Sequence, residues 1–161
     1  MRERNVQGKN EVWKNNIPYI ITHDYCIIVY GIKLRDIRGS DLTYLDFIRT
    51  EYPEEYLNTL GFALEFLTNF LVWDLDKYAN PLTLITPRQL SYILGIYLEK
   101  IYKNPMDRDT WINNVYYLNN QSFAGMDKYE DIPMTEFNYM VDVYRENVKR
   151  QEEAYKSVGQ G

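Results

Sequence analysis

The chain has 161 residues, of which 45% are hydrophobic, and its formal net charge is −5. A single domain of this length buries enough apolar surface to fold without disulfides, and one cysteine with one histidine cannot assemble a structural zinc site. The negative charge argues against nucleic acid as the main partner, because duplex binding depends on clustered Lys and Arg.

The first sixteen residues are mostly polar and lack the apolar run of a signal peptide, so we predict a flexible polar arm over 1–16. The most apolar stretch, 57–73, is interrupted by polar side chains and is too short to span a bilayer. We therefore expect a cytoplasmic protein without a membrane partner.

Residues 17–34 are rich in β-branched and aromatic side chains, which predicts a β-hairpin or a sheet of two to three short strands. Their apolar character is almost continuous, as expected for strands that are covered on both faces or that pair with another chain. Tyr19 and Tyr30 in this segment are predicted partner-binding residues.

Helical spacing of the apolar residues begins after Gly39, with Ser40 or Asp41 as the cap of the first helix. Pro53 predicts the start of a second helix that extends to about Trp73. Its wide apolar face indicates central burial.

A capping box marks the third helix, because Thr86 supplies the N-cap hydroxyl, Pro87 the first helical position and Gln89 the side chain that reaches back. This helix is predicted to end before Pro105. A shorter helix over 109–118 and a long loop over 119–133 follow.

Met134 begins the fifth helix, and residues 157–161 are predicted to be a disordered tail. The predicted fold class is therefore mostly α (α+β), with about five helices and a small N-terminal sheet. We place a single domain over residues 17–156.

Signals of catalysis are weak. In a strand, His23 and Cys26 would point to opposite faces, so we expect a buried structural cysteine and a half-exposed histidine. Asp74 starts no EF-hand loop, because the sixth and twelfth positions counted from it hold Ala79 and Ile85. Neither a Gly-x-Ser-x-Gly elbow nor a glycine-rich phosphate loop is present. We predict a non-enzymatic protein with no catalytic residues, no metal and no cofactor.

Sixteen tyrosines are the main compositional signal of an interaction surface, because tyrosine combines a large contact area with a polar tip. Tyr139, Tyr144 and Tyr155 stand on or beside the apolar stripe of the last helix, whose later turns are too charged for a core. We predict that they bind a protein partner. The alternative is that 137–144 packs on the domain and the rest frays.

Residues 31–45 combine an extended stretch that ends in a basic residue, a polar cap and an acidic amphipathic helix. This arrangement resembles small tail, baseplate or assembly proteins of bacteriophages. The resemblance implies a structural or virion-assembly component that binds other proteins, as subunits of a larger complex or as a homo-oligomer. It also implies a location in the host cytoplasm or in the virion.

The charge distribution supports an alternative function. Residues 1–40 carry seven basic and four acidic side chains, whereas 41–80 carry two basic and eight acidic ones. The acidic block is compatible with a small regulator that binds and inhibits a host enzyme or a nucleic-acid-binding protein. Mixed charges that only solvate a surface are the simpler explanation.

Overall fold

The computed structural model describes residues 11–14, 17–52, 59–73, 79–102 and 105–160. Within these residues four strands precede five α-helices, which confirms the predicted α+β class with mostly helical content. The strands are β1 (Glu11–Lys14), β2 (Ile17–Ile21), β3 (Ile27–Val29) and β4 (Ile32–Leu34). The helices are α1 (Leu42–Glu51), α2 (Leu60–Thr68), α3 (Pro87–Tyr97), α4 (Arg108–Leu118) and α5 (Met134–Gln160).

The strands form an antiparallel sheet in the order β1-β2-β3-β4. Tyr30 and Gly31 connect β3 to β4 and both have positive φ, 52° and 73°. A two-residue turn of this kind matches the twist of a hairpin. The sheet has one strand more than predicted, because β1 lies in the segment expected to be a flexible arm.

The turn between β2 and β3 contains the two residues considered for catalysis. Cys26 is buried, as predicted, whereas His23 is exposed rather than half-exposed. Both lie in the turn and not in a strand. The Thr22 hydroxyl accepts the Cys26 backbone N–H at 3.0 Å, which closes this turn. Burial raises the pKa of the Cys26 thiol.

The chain forms two compact units, where the sequence predicted one domain over 17–156. The first unit comprises residues 1–37 and 47–105, and the second comprises 38–46 and 106–161. Each unit has its own buried apolar residues.

Aromatic rings in mutual contact form part of the core of the first unit. The ring centroids of Phe66 and Phe70 are 5.1 Å apart. Phe70 stacks on Tyr97 with the centroids 5.2 Å apart. The Tyr97 hydroxyl donates a hydrogen bond to the Arg35 carbonyl at 3.0 Å, so its polar tip has a partner inside the unit.

α2 is shorter than predicted. The hydroxyl of Thr59 accepts the Phe62 N–H at 3.2 Å and caps the helix, which ends at Thr68 rather than near Trp73. Leu71 forms an antiparallel bridge with Leu34, so the chain has already left the helix there. The predicted start at Pro53 lies outside the described residues.

The capping box at α3 is confirmed. The Thr86 hydroxyl accepts the Gln89 N–H at 3.1 Å, and the Gln89 side chain accepts the Thr86 N–H at 2.9 Å. A π-helical segment, Leu98–Tyr102, continues α3.

In the second unit, Arg108 connects the start of α4 to the loop before α5. Its guanidinium forms a bidentate ion pair with the Glu130 carboxylate, with N···O distances of 3.0 and 2.6 Å. It also donates a hydrogen bond to the Gly39 carbonyl at 2.8 Å. The same guanidinium lies 4.3 Å from the Trp111 ring centroid. Trp111 is fully buried against Gly39, where a Cβ atom would lie 2.3 Å from the indole. These contacts hold together the start of α4, Gly39 and the loop that precedes α5.

Candidate protein-interaction surface

α5 begins as a core helix of the second unit. Met134, Phe137 and Val141 are buried, and the Phe137 ring stacks on Trp111 with the centroids 5.8 Å apart. Pro133 forms a bridge with Arg38 just before the helix starts. The first two turns are therefore held by apolar packing and by the backbone.

One row of mostly apolar residues on α5 follows a heptad pattern along the whole helix, with spacings that alternate between three and four. We call these positions the heptad stripe: Met134, Phe137, Val141, Tyr144, Val148, Gln151, Tyr155 and Val158. Gln151 is its one polar member. Such spacing keeps all the members on one face of the helix.

Burial along the heptad stripe falls from the start of α5 to its end. Tyr144 and Val148 are half-buried, and every residue of 151–159 is exposed. Tyr155 is 81% exposed and Val158 is 80% exposed. The stripe that packs on the second unit thus continues for more than two turns beyond the residues that the unit covers.

The outer half of α5, residues 145–160, consists mostly of charged side chains and good helix formers. Glu146 and Arg150 form an ion pair at 3.7 Å across one turn. Arg145 and Glu152 are seven residues apart, so they lie on the same edge of the heptad stripe, and both are exposed. The opposite edge carries Asn147 and Ala154, which have no charge. The two edges therefore differ in their electrostatic character.

A second exposed apolar pair lies on another face of α5. Tyr139 is 70% exposed and Val143 is 41% exposed, and residues four apart are neighbours on a helix. Tyr139 is two residues before the buried Val141, about 200° around the helix, so it points away from the core of the unit. This pair is separate from the heptad stripe.

The second unit also has an open depression of about 470 Å³ beside α4. Tyr116, Tyr117 and Phe123 supply its aromatic lining, with Phe123 4.7 Å from Tyr116 between ring centroids. The Asn119 side chain holds the adjoining loop by donating to the carbonyls of residues 122 and 124 at 2.9 and 2.7 Å. The sequence did not single out this surface, although the adjacent tyrosines were a visible signal.

The structure separates the five predicted partner-binding residues. Tyr139 and Tyr155 are strongly exposed on different faces of α5, and Tyr144 is half-buried in the heptad stripe. Tyr30 is 39% exposed in the hairpin turn of the first unit. Tyr19 is 2% exposed, so its predicted role is wrong: its ring belongs to the core and offers no surface to a partner.

The titratable groups in the described residues form no metal-binding cluster of His, Cys, Asp or Glu. The Thr22 hydroxyl donates to the Asp24 carboxylate and lowers the pKa of that carboxyl. Asp36, which is buried, accepts the Ile37 N–H at 2.8 Å. Asp24 is therefore hydrogen-bonded within its own turn, and Asp36 is hydrogen-bonded to the next residue along the chain.

Comparison with known proteins gives no family: no protein-family model, curated protein or solved structure matches the chain. Among the described helices, none combines the length and the apolar character that crossing a membrane requires.

Proposed function

We propose that the chain is a non-enzymatic protein–protein interaction component that joins a larger assembly through the outer half of α5. The observation that carries this proposal is the exposed continuation of the heptad stripe beyond the second unit. A helix with one apolar stripe and charged flanks binds by laying that stripe against a complementary surface.

The energetics favour such docking. Burying an exposed valine or a larger apolar side chain contributes about 1.5–3 kcal/mol, and both Tyr155 and Val158 are exposed. Tyrosine is also a frequent anchor of interfaces, because its ring excludes water while its hydroxyl keeps a polar partner. The outer half of α5 thus offers a compact set of anchors.

We extend the proposal to the kind of assembly on the basis of the resemblance over residues 31–45. The partner is another subunit of a bacteriophage tail, baseplate or assembly complex, met in the host cytoplasm or in the virion. This part of the proposal concerns the identity of the assembly and is independent of the docking surface on α5.

The alternative, a small acidic regulator of a host enzyme or nucleic-acid-binding protein, receives less support. Two carboxylates of the acidic block already serve the second unit: Asp41 accepts the Arg38 N–H at 2.8 Å, and Asp46 accepts the Arg108 N–H at 2.9 Å. Acidic groups that are used inside the fold contribute less to a charged docking surface.

Deleting residues 146–161 tests the proposal. The buried part of α5 ends at Val141, so we expect the melting temperature of the shortened protein to stay within a few degrees of that of the full chain. Affinity purification from the native source, with quantification of each co-purifying protein, should show the loss of the partner.

Two point substitutions refine this test. Tyr155→Ala removes an exposed ring from the heptad stripe, whereas Tyr139→Ala removes an exposed ring from another face and serves as the matched control. We expect only Tyr155→Ala to weaken partner binding. If the shortened protein still assembles normally, the interface lies elsewhere, with the hairpin turn at Tyr30 as the next surface to test.

A further inference from the structure

The heptad stripe carries a charge pattern that is complementary to itself. Arg145 is basic, Glu152 is acidic, and both are exposed on the same edge of the stripe. When two helices pack in antiparallel orientation, each edge of the stripe meets the same edge of the other helix. In a parallel pair, opposite edges meet.

Resting on the proposed function, we propose that one partner of α5 is a second copy of this chain, bound through an antiparallel pair of α5 helices. In this register Tyr144 lies opposite the partner's Tyr155, and Val148 lies opposite the partner's Gln151. The same register places Arg145 beside the partner's Glu152. Two-fold symmetry repeats each of these contacts.

The charges distinguish this arrangement from the parallel one. A parallel pair would place the edge with Arg145 and Glu152 against the edge with Asn147 and Ala154, so it would form no ion pair between the helices. The antiparallel pair forms two ion pairs and brings the short Ala154 side chain beside the partner's Asn147. Only the antiparallel orientation uses the charge pattern.

The burial pattern sets the length of the contact. Val141 is buried within its own unit, whereas Tyr144 and Val148 are half-buried and keep part of their surface open. We therefore place the inner end of the contact at Tyr144, and its symmetric end is Tyr155. This segment spans about 16 Å at 1.5 Å per residue. It forms four side-chain layers, two of which contain Gln151. Such a small contact with polar layers predicts a dissociation constant on the order of micromolar.

Charge reversal on the full-length chain tests the proposal. Arg145→Glu places two glutamates opposite each other at both symmetric sites, and Glu152→Arg does the same with two arginines. We expect each single variant to raise the dimer dissociation constant at least about tenfold, since both pairs change from attraction to repulsion.

The equimolar mixture of the two single variants is the decisive sample. In the mixed dimer every contact again joins a glutamate to an arginine, so the dissociation constant should return to within about threefold of the wild-type value. The double variant should also be restored. Lys149→Glu and Glu153→Arg change the net charge equally on positions away from the stripe and serve as matched controls that leave the dimer intact.

Sedimentation equilibrium over protein concentrations from about 1 to 300 μM measures these constants, in the range expected for a contact of this size. Circular dichroism checks that each variant keeps its helix content. A wild-type chain that stays monomeric throughout, or a mixture no tighter than the single variants, overturns the proposal.

The two proposals fail separately. A monomeric wild type whose truncation still removes a native partner contradicts only the second-copy proposal. A dimer that obeys the charge-reversal pattern, in a chain whose truncation leaves the native assembly intact, contradicts only the proposed function.

Discussion

Replacing Gly39 with alanine should lower the free energy of unfolding by about 3 kcal/mol, the upper end of the usual cost of overpacking a core. The new Cβ atom would lie 2.3 Å from Cζ2, 2.4 Å from Cε2 and 2.7 Å from Nε1 of Trp111. Carbon atoms pack best at about 3.5–4.0 Å, so the indole has to move by more than 1 Å.

The surroundings of the Trp111 ring prevent an easy movement. The ring is fully buried, stacks on Phe137 and also contacts the Arg108 guanidinium. Its Nε1 atom has no hydrogen-bond partner among the described residues. Any shift of the indole therefore disturbs the start of α5. The steric cost is not relieved by a local change of a flexible side chain.

Chemical denaturation followed by tryptophan fluorescence measures this effect. Gly95→Ala is the matched control, because a Cβ at that position in α3 meets no atom within 4 Å. There we expect stability to rise by about 0.5–1 kcal/mol, the difference between glycine and alanine inside a helix. If the two substitutions have the same sign, or if the effect of Gly39→Ala is unchanged when Trp111 is replaced by Phe, the steric explanation is wrong.

Two further predictions concern the first unit. Thr86→Ala should lower the free energy of unfolding by about 1 kcal/mol in urea denaturation, because it removes the hydroxyl that accepts the Gln89 N–H. An unchanged midpoint and slope would mean that the cap contributes nothing to stability. The Cys26 thiol should react with a disulfide reagent much more slowly than free cysteine at pH 8, because burial raises the pKa of the thiol and lowers the thiolate fraction. A reaction rate equal to that of free cysteine would contradict the buried position of Cys26.

Local signals were sufficient for some elements of the fold. The capping box of α3 depends on Thr86, Pro87 and Gln89 alone, so three neighbouring residues contain all the information, and the helix begins where predicted. Met134 was also predicted correctly as the start of α5. The predicted end of α5 was wrong, because the helix continues to Gln160 through residues that we expected to be disordered.

Other features depend on contacts between residues far apart in the chain. Strand β1 was not predicted, because the polar composition of residues 1–16 gives no strand signal. The strand forms through backbone pairing with β2. The end of α2 is set by the bridge between Leu71 and Leu34, which no local pattern records. Tyr19 was assigned to the surface because the strand pattern did not show which face is covered.

The heptad stripe was visible in the sequence, but its division into a covered and an exposed part was not. Composition shows that the outer half of α5 is too charged for a core, and only the structure shows that burial stops at Val141 while the helix continues. The predicted role of Tyr155 therefore remains a prediction with a defined surface around it. The aromatic depression at Tyr116 and Phe123 needed the loop conformation as well.

In the proposed function, the first half of α5 packs within the second unit and the outer half binds the partner. This division has a physical advantage. Starting a helix is costly, because several residues must be ordered before the first hydrogen bond forms. In α5 the buried residues Phe137 and Val141 meet that cost through packing within the second unit.

The outer half then extends an existing helix with good helix formers, helped by the ion pair between Glu146 and Arg150. A partner that binds at Tyr155 finds the helix already ordered, so little of the binding energy is lost to ordering. In the proposed function, this preorganisation allows a stripe as small and as polar as this one to support association.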